Sequence, residues 1–134
     1  MEAPIELTPI DDFRSGRHTR ARGNSAESDG VVWLESQGFS ILARNIRFSF
    51  GEIDVVALEG DTLCFIEIKA RSSRKHGGAA YAVSPGKQRQ LVRLARVYLA
   101  RRPFAGPCRF DVLAMDGDDR GWSYTLFRNA FEAG

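Results

Sequence analysis

The sequence predicts an α/β domain in which a central mixed β-sheet is flanked by helices, with elements in the order α-β-β-β-α-β-β. Five short runs are rich in β-branched and aromatic residues and are bounded by turn signals such as Glu59-Gly60-Asp61. Two longer segments repeat apolar residues every three or four positions, which is typical of amphipathic helices. These two periodicities define the predicted fold class.

The first helix is predicted from Asn24 to Gly38. Asn24 would cap it, Glu27 would complete a capping box three residues later, and Gly38 would end it. Residues 1–23 combine prolines, glycines and arginines without an apolar period. They are therefore predicted to form a flexible basic arm that precedes a single domain of residues 24–134.

The remaining elements follow from the same patterns. Ser84 fits the N-cap of a second helix and Pro85 its first position, with an inward stripe that includes Leu91, Leu94 and Tyr98. The predicted strands are Phe39–Phe48, Glu52–Leu58, Thr62–Arg71, Arg109–Met115 and Trp122–Phe127.

Bulk properties indicate a soluble chain. Its 134 residues suit one core, and its 43% of hydrophobic and 27% of charged residues argue against a disordered or fibrous protein. No apolar run reaches the ~20 residues that cross a bilayer, and the N-terminus lacks the pattern of a secretory signal, so a cytoplasmic location with no membrane partner is predicted. Cys64 and Cys108, each beside apolar residues, are predicted to be buried thiols.

Three charged residues on adjacent strands indicate chemistry. Glu67 and Lys69 are two positions apart in the third strand, so both point to one face of the sheet. Asp54 lies about as far from the Gly60 turn on the preceding strand as Glu67 does on the following one. In an antiparallel hairpin such residues are neighbours, and the two carboxylates would converge.

Converging carboxylates favour a hard divalent cation, because like charges repel unless something neutralises them. Mg²⁺, or Mn²⁺ in its place, takes one or two carboxylates together with waters and phosphate oxygens. Asp54 and Glu67 are the predicted ligands, with the carbonyl of Ile68 as a further one. Lys69 would position or deprotonate the nucleophile, or stabilise the charge of the transition state.

An ordinary alternative exists for this pattern. A Glu-x-Lys pair on a strand is commonly a surface ion pair that contributes about 0–1 kcal/mol. Against it stands Asp54, a third charge within an otherwise apolar strand, and the third strand itself, which is the longest β-rich run and therefore looks central.

The stretches Gly51-Glu52-Ile53-Asp54-Val55-Val56 and Phe65-Ile66-Glu67-Ile68-Lys69-Ala70-Arg71 resemble the PD-(D/E)XK nuclease superfamily, and more closely the YraN-like family of small bacterial proteins. Gly23-Asn24-Ser25-Ala26-Glu27, Ala82-Val83-Ser84 before Lys87-Gln88, and Arg109-Phe110-Asp111-Val112 also fit that family. The resemblance covers roughly residues 14–128. It implies a restriction-endonuclease-like fold, similar to that of archaeal Holliday-junction resolvases.

The resemblance also implies roles for individual residues. Asp54 and Glu67 would bind metal, Lys69 would be the catalytic lysine, and Glu27 would be an outer or second-metal carboxylate if it is not simply part of the capping box. Lys87 would reach the same face, or be a surface lysine of the first helical turn. Gln88 is the weaker candidate for a superfamily glutamine, and Asp111 is expected to be structural.

The predicted function is Mg²⁺-dependent hydrolysis of phosphodiester bonds in DNA by a nuclease or resolvase-like enzyme. Cations after the third strand, beginning with Arg71, and along the second helix would contact phosphates. Two alternatives stay open: a nucleic-acid-binding or repair accessory protein that retains the fold, and a protein-interaction adaptor. Because related resolvases cut two strands as symmetric dimers, the resemblance leaves a homodimer open.

Overall fold

The computed structural model describes residues 21–72 and 83–133. Its elements are α1 (Ala21–Ser36), β1 (Ser40–Phe48), β2 (Gly51–Glu59), β3 (Thr62–Arg71), α2 (Pro85–Arg101), β4 (Cys108–Asp118) and β5 (Gly121–Phe131). The predicted α/β class and element order are confirmed. Most of the predicted N-terminal arm, residues 1–20, lies outside the described residues.

The five strands form one mixed sheet in the order β1-β2-β3-β4-β5. Short turns join β1 to β2, β2 to β3 and β4 to β5, and each of these pairs is antiparallel. β3 and β4 pair in parallel, because the chain crosses over through α2 between them. β3 therefore lies in the middle of the sheet, as its sequence predicts.

Each helix covers one face of the sheet. The alternation of β3 sends Leu63 and Phe65 to the face that packs against Leu94 and Tyr98 of α2. The opposite face, with Cys64, Ile66 and their neighbours on β2 and β4, packs against Val31 and Leu34 of α1. The predicted inward stripe of α2 is confirmed.

α1 approaches the sheet closely at Gly30. A Cβ atom built on Gly30 would lie 3.1–3.3 Å from side-chain atoms of Met115, Leu113 and Ile68. Trp122 also donates a hydrogen bond from Nε1 to Asp29 Oδ2, at 3.0 Å. This close packing fixes where the N-terminal half of α1, and with it Glu27, meets the sheet.

The helix starts illustrate one correct and one wrong prediction. Ser84 caps α2, with its hydroxyl accepting the amide of Lys87 at 3.2 Å. α1 begins at Ala21 rather than at Asn24, so the predicted capping box of Asn24 and Glu27 is wrong. Ala21 and Arg22 are good helix formers, which explains why the helix extends past Asn24.

The two thiols differ in exposure. Cys64 is buried between β3 and α1, and burial raises its pKa to about 12. Cys108 is exposed, so the prediction that it is buried is wrong. It is the first residue of β4 and follows Pro107, outside both cores. Both cysteines are free.

Within residues 21–72 and 83–133, neither helix is long and apolar enough to span a membrane.

Candidate metal centre

Asp54 is fixed at the point where β2 and β3 stop pairing through their backbones. Their registered pairs run from Glu59↔Thr62 to Val55↔Ile66. One residue further along β2, Asp54 Oδ2 accepts a hydrogen bond from the backbone amide of Ile68 at 2.9 Å. The carboxylate thus takes the place of a strand partner and is held rigidly on β3.

Three carboxylates converge at this end of β2. One oxygen each from Glu27, Glu52 and Asp54 lies within 4.8 Å of the others, and all three side chains are partly buried. Glu52 and Asp54 come from alternate positions of one strand, and Glu27 is brought in by α1. Arg47 pairs with Glu52 at 3.4 Å from the neighbouring strand.

Burial and crowding raise the pKa of Asp54 well above its usual value of 3.8. Loss of hydration is the largest cause, followed by repulsion from Glu67, with smaller contributions from Glu27 and Glu52. The amide of Ile68 opposes these effects. The groups around Asp54 therefore do not neutralise the negative charge of its carboxylate.

Glu67 belongs to the same electrostatic group but has cations of its own. Its carboxylate lies 3.7 Å from Nζ of Lys87, with 13% of the Glu67 side chain exposed. Burial raises the pKa of Glu67, while Lys87 and Lys69 lower it. Glu67, Lys69 and Lys87 thus face one another beside the three converging carboxylates.

An open groove leads to these groups. It has a volume of about 440 Å³ and is lined by Glu52, Asp54, Lys87, Gln90 and residues 47, 48 and 51. Gln90 Nε2 donates to the carbonyl of Phe50 at 2.8 Å, which ties α2 to the β1–β2 turn. The site is therefore reachable from solvent and bounded by α2 on one side.

The whole of this site lies in a segment shared with other proteins. A model of the uncharacterised protein family UPF0102 matches residues 26–115, two thirds of the chain. The chain belongs to this family. The resemblance of the sequence to YraN-like proteins is thereby confirmed.

UPF0102 relatives match the chain over most of their length. One from Symbiobacterium thermophilum is 43% identical over 117 residues, covering 86% of this chain and 99% of the relative. One from Shewanella loihica is 43% identical over 106 residues, covering 79% and 93%. One from Herminiimonas arsenicoxydans is 40% identical over 111 residues, covering 83% and 86%. The matched family segment contains the residues from Glu27 to Gln90 that form the site.

The UPF0102 fold brings together most of the residues singled out from the sequence. Asp54, Glu67, Lys69 and Lys87 form one interacting group, and Glu27 joins it through Asp54. The trio whose carboxylate oxygens all lie within 4.8 Å of one another, however, contains Glu52 and not Glu67.

Two predicted residues, Gln88 and Arg71, do not line the groove, whereas Ile68 lies at the site and its carbonyl stays a predicted ligand. Gln88 donates from Nε2 to the carbonyl of Val83 at 2.9 Å and does not line the groove. Ile68 contacts Asp54 through its amide. Arg71 pairs in register with Asp116 at the end of β3 and is not among the residues that line the groove.

Two residues of the UPF0102 site were missed. Glu52 was not among the predicted site residues, although its spacing of two from Asp54 on a strand indicates a shared face. Gln90 stands three positions after Lys87, a helical spacing that places both side chains on one side of α2. Gln88, at a spacing of one, cannot share that side.

The donor set fits a hard divalent cation. Octahedral Mg²⁺ at about 2.1 Å from each oxygen needs ligand oxygens about 3–4 Å apart. The oxygens of Glu27, Glu52 and Asp54 lie within 4.8 Å of one another, so a small inward movement of two flexible glutamates suffices. A cation there would also relieve the repulsion that raises the pKa of Asp54.

Asp111 does not belong to this site. It is 1% exposed on β4, where Arg109 holds both its oxygens at 2.8 Å and the amide of Asn129 donates to Oδ1 at 2.9 Å. Arg109 and Arg128 both pair with Glu59 as well. The prediction of a structural role for Asp111 is confirmed.

Proposed function

We propose that this protein is a Mg²⁺- or Mn²⁺-dependent phosphodiester hydrolase acting on DNA, of the PD-(D/E)XK nuclease kind. One observation carries the proposal: the carboxylates of Glu27, Glu52 and Asp54 lie within 4.8 Å of one another, in a group that also contains Glu67 and Lys69. A surface ion pair would explain Glu67 and Lys69 alone. It would not explain why Glu27 and Glu52 gather around the carboxylate of Asp54.

The position of each side chain indicates a role in hydrolysis. Asp54, held by the Ile68 amide, would bind the cation with Glu27 and Glu52 beside it. The cation, when bound, would polarise a phosphoryl oxygen and neutralise charge that develops during hydrolysis. Lys69 would hold the phosphoryl group or the attacking water through its ammonium group, and Lys87, 3.7 Å from the Glu67 carboxylate, would hold that side chain in place.

A second function has one observation in its favour. Lys87 pairs with Glu67 at 3.7 Å, so an acid predicted to bind metal has a protein cation as its partner. A nucleic-acid-binding or repair accessory protein could retain such a neutralised site without turnover.

Cleavage assays on a panel of linear, nicked and four-way DNA substrates with Mg²⁺ or Mn²⁺ test hydrolysis. We expect cleavage by the wild-type protein, loss of at least 100-fold in Asp54→Ala and Lys69→Ala, and no change in Glu35→Gln. Glu35 is an exposed acid on α1, the helix that carries Glu27, and is therefore a matched control.

The outcomes separate the proposals. Cleavage that survives in both site variants overturns the catalytic assignment. DNA binding without cleavage at any metal concentration supports the accessory role instead.

A further inference from the structure

The outer face of α2 carries a ridge of positively charged side chains. Arg89, Arg93 and Arg96 are exposed and follow one another at helical spacings of four and three, between the exposed Gly86 and Ala100. α2 has no acidic residue, and Lys87 and Arg101 add two more positive charges. The whole chain carries only +2, so the rest of the protein is net negative and the positive charge is concentrated here.

No ion pair joins these three arginines to an acid in the described part of the chain, although Arg89 and Arg96 line a groove together with Glu132. The ion pairs there involve other cations: Arg47, Lys87, Arg109 and Arg128. Like charges three and four positions apart destabilise a helix by about 0.2–0.5 kcal/mol per pair. Arg93 lies over the ring of Phe50, 4.0 Å from its centroid, so one guanidinium is held in place on the surface.

The ridge is continuous with the candidate metal centre. A second groove, of about 510 Å³, runs over Phe50, Gly86, Lys87, Arg89, Gln90 and Arg93. It shares Lys87 and Gln90 with the groove that contains Asp54. An extended ligand could therefore lie along α2 and reach the carboxylates without leaving a concave surface.

We infer that the Arg89–Arg93–Arg96 ridge is the docking surface for a nucleic-acid backbone that passes over Gly86 and Lys87 into the acidic site. This inference rests on the proposed function in one respect only, that the ligand is a nucleic acid. Guanidinium groups suit phosphates, and the three arginines span about 10 Å of helix axis. That length corresponds to about three base-pair steps, and so to about four successive phosphates of one duplex strand, at ~3.4 Å rise.

The same face does not fit a membrane. An interfacial helix inserts large apolar residues opposite its cationic face, but the inward stripe of α2 is already packed against the sheet. The exposed residues of α2 are its arginines, Pro85, Gly86 and Ala100, none of them a large apolar side chain. A polyanion that lies along the surface is the partner that this chemistry fits.

Fluorescence anisotropy in EDTA tests this inference without any cleavage. A labelled 20-bp duplex and a 20-nucleotide single strand would be titrated between about 50 and 200 mM KCl, with anionic phosphatidylglycerol vesicles as a separate arm. The variants are Arg93→Gln, the triple change R89Q/R93Q/R96Q, and Arg128→Gln. Arg128→Gln removes the same charge beside Glu59, at the far end of β2 from Glu52. Glutamine preserves helix propensity, and circular dichroism checks the fold.

The triple variant is expected to bind DNA at least 10-fold more weakly at 100 mM KCl, with a salt-dependence slope lower by about 2–3. Arg93→Gln should weaken binding more than Arg128→Gln. Equal effects of these two single changes, unchanged affinity of the triple variant, or a loss confined to vesicle binding would each overturn the inference. DNA that binds through α2 but is never cut would support this surface while refuting the proposed hydrolysis.

Discussion

Asp54 combines two properties that rarely occur together in one side chain. Its carboxylate is rigidly fixed by the Ile68 amide, and it is surrounded by other acids that raise its pKa. We propose that a carboxylate held in this way serves to bind a positive ligand rather than to stabilise the fold. The sequence predicted Asp54, Glu67 and Lys69 because strand alternation and the hairpin register about Gly60 together determine their common face.

Replacing Asp54 with asparagine is expected to stabilise the metal-free protein by roughly 1–2 kcal/mol at pH 7. Because the folded-state pKa of Asp54 is raised, its charge disfavours folding above pH 3.8, so the gain should vanish as the pH falls below that value. The asparagine oxygen still accepts the Ile68 amide. Urea unfolding in EDTA at several pH values measures the difference.

Added Mg²⁺ provides the complementary measurement. Millimolar Mg²⁺ should raise the melting temperature of the wild-type protein and leave Asp54→Asn unchanged, because a ligand stabilises only the state that binds it. An Asp54→Asn variant that is less stable than wild type in EDTA at pH 7 would contradict the crowding of charge at this site.

At the scale of elements, the site depends on how α1 and α2 dock on the sheet. Glu52 and Gln90 were missed because their roles arise only when β2, the β1–β2 turn and α2 come together.

The position of a helix cap depends on the neighbouring residues. Pro85 follows Ser84 and favours a helix start there, whereas helix formers precede Asn24 and let the helix begin earlier. The predicted β4 and β5 are shorter than the observed strands. The pairing of β4 with β5 continues through Gly117, where a Cβ would lie 2.9 Å from the ring of Trp122.

Gly30→Val is expected to push α1 away from the sheet, because a Cβ there already approaches three side chains within 3.3 Å. Overpacking of this kind costs about 1–3 kcal/mol, and the displaced Glu27 should weaken the stabilisation by Mn²⁺. Val32→Ala is the matched control on α1, since Val32 is 64% exposed. Thermal unfolding with and without Mn²⁺ reports both effects; equal behaviour of the two variants would contradict the close packing of α1.

Glu59 joins three strands and gives a pH-dependent stability. Hydrogen bonds from Arg128, with Arg109 contributing, hold the pKa of Glu59 at about 2, below its usual 4.5. The ion pairs therefore stabilise the fold fully above pH 4.5, and this contribution is lost as the pH falls through about 2.

Glu59→Gln should lower the free energy of unfolding by about 1–2 kcal/mol at pH 7. The difference from wild type should shrink steadily between about pH 4.5 and pH 2. Urea titrations across this interval test it. A constant difference over the whole range would mean that the charge of Glu59 does not act through these arginines.

At the scale of the whole molecule, charge is separated into two neighbouring surfaces. Acids from α1 and β2 gather at one end of the sheet, and the α2 ridge beside them is purely cationic. Local patterns in the sequence predicted the class of fold, the element order and the core of the site. They could not predict which distant strands pair, nor that α1 would carry Glu27 to Asp54, because those contacts depend on packing across the entire domain.

The proposed hydrolysis requires a divalent cation to bind where Glu27, Glu52 and Asp54 meet. A crystal soaked in millimolar Mn²⁺ and measured at the manganese absorption edge tests this most directly. We expect an anomalous peak within about 2.0–2.4 Å of oxygens from these three side chains. A structure with no peak there, or with manganese bound only at another surface, would contradict it.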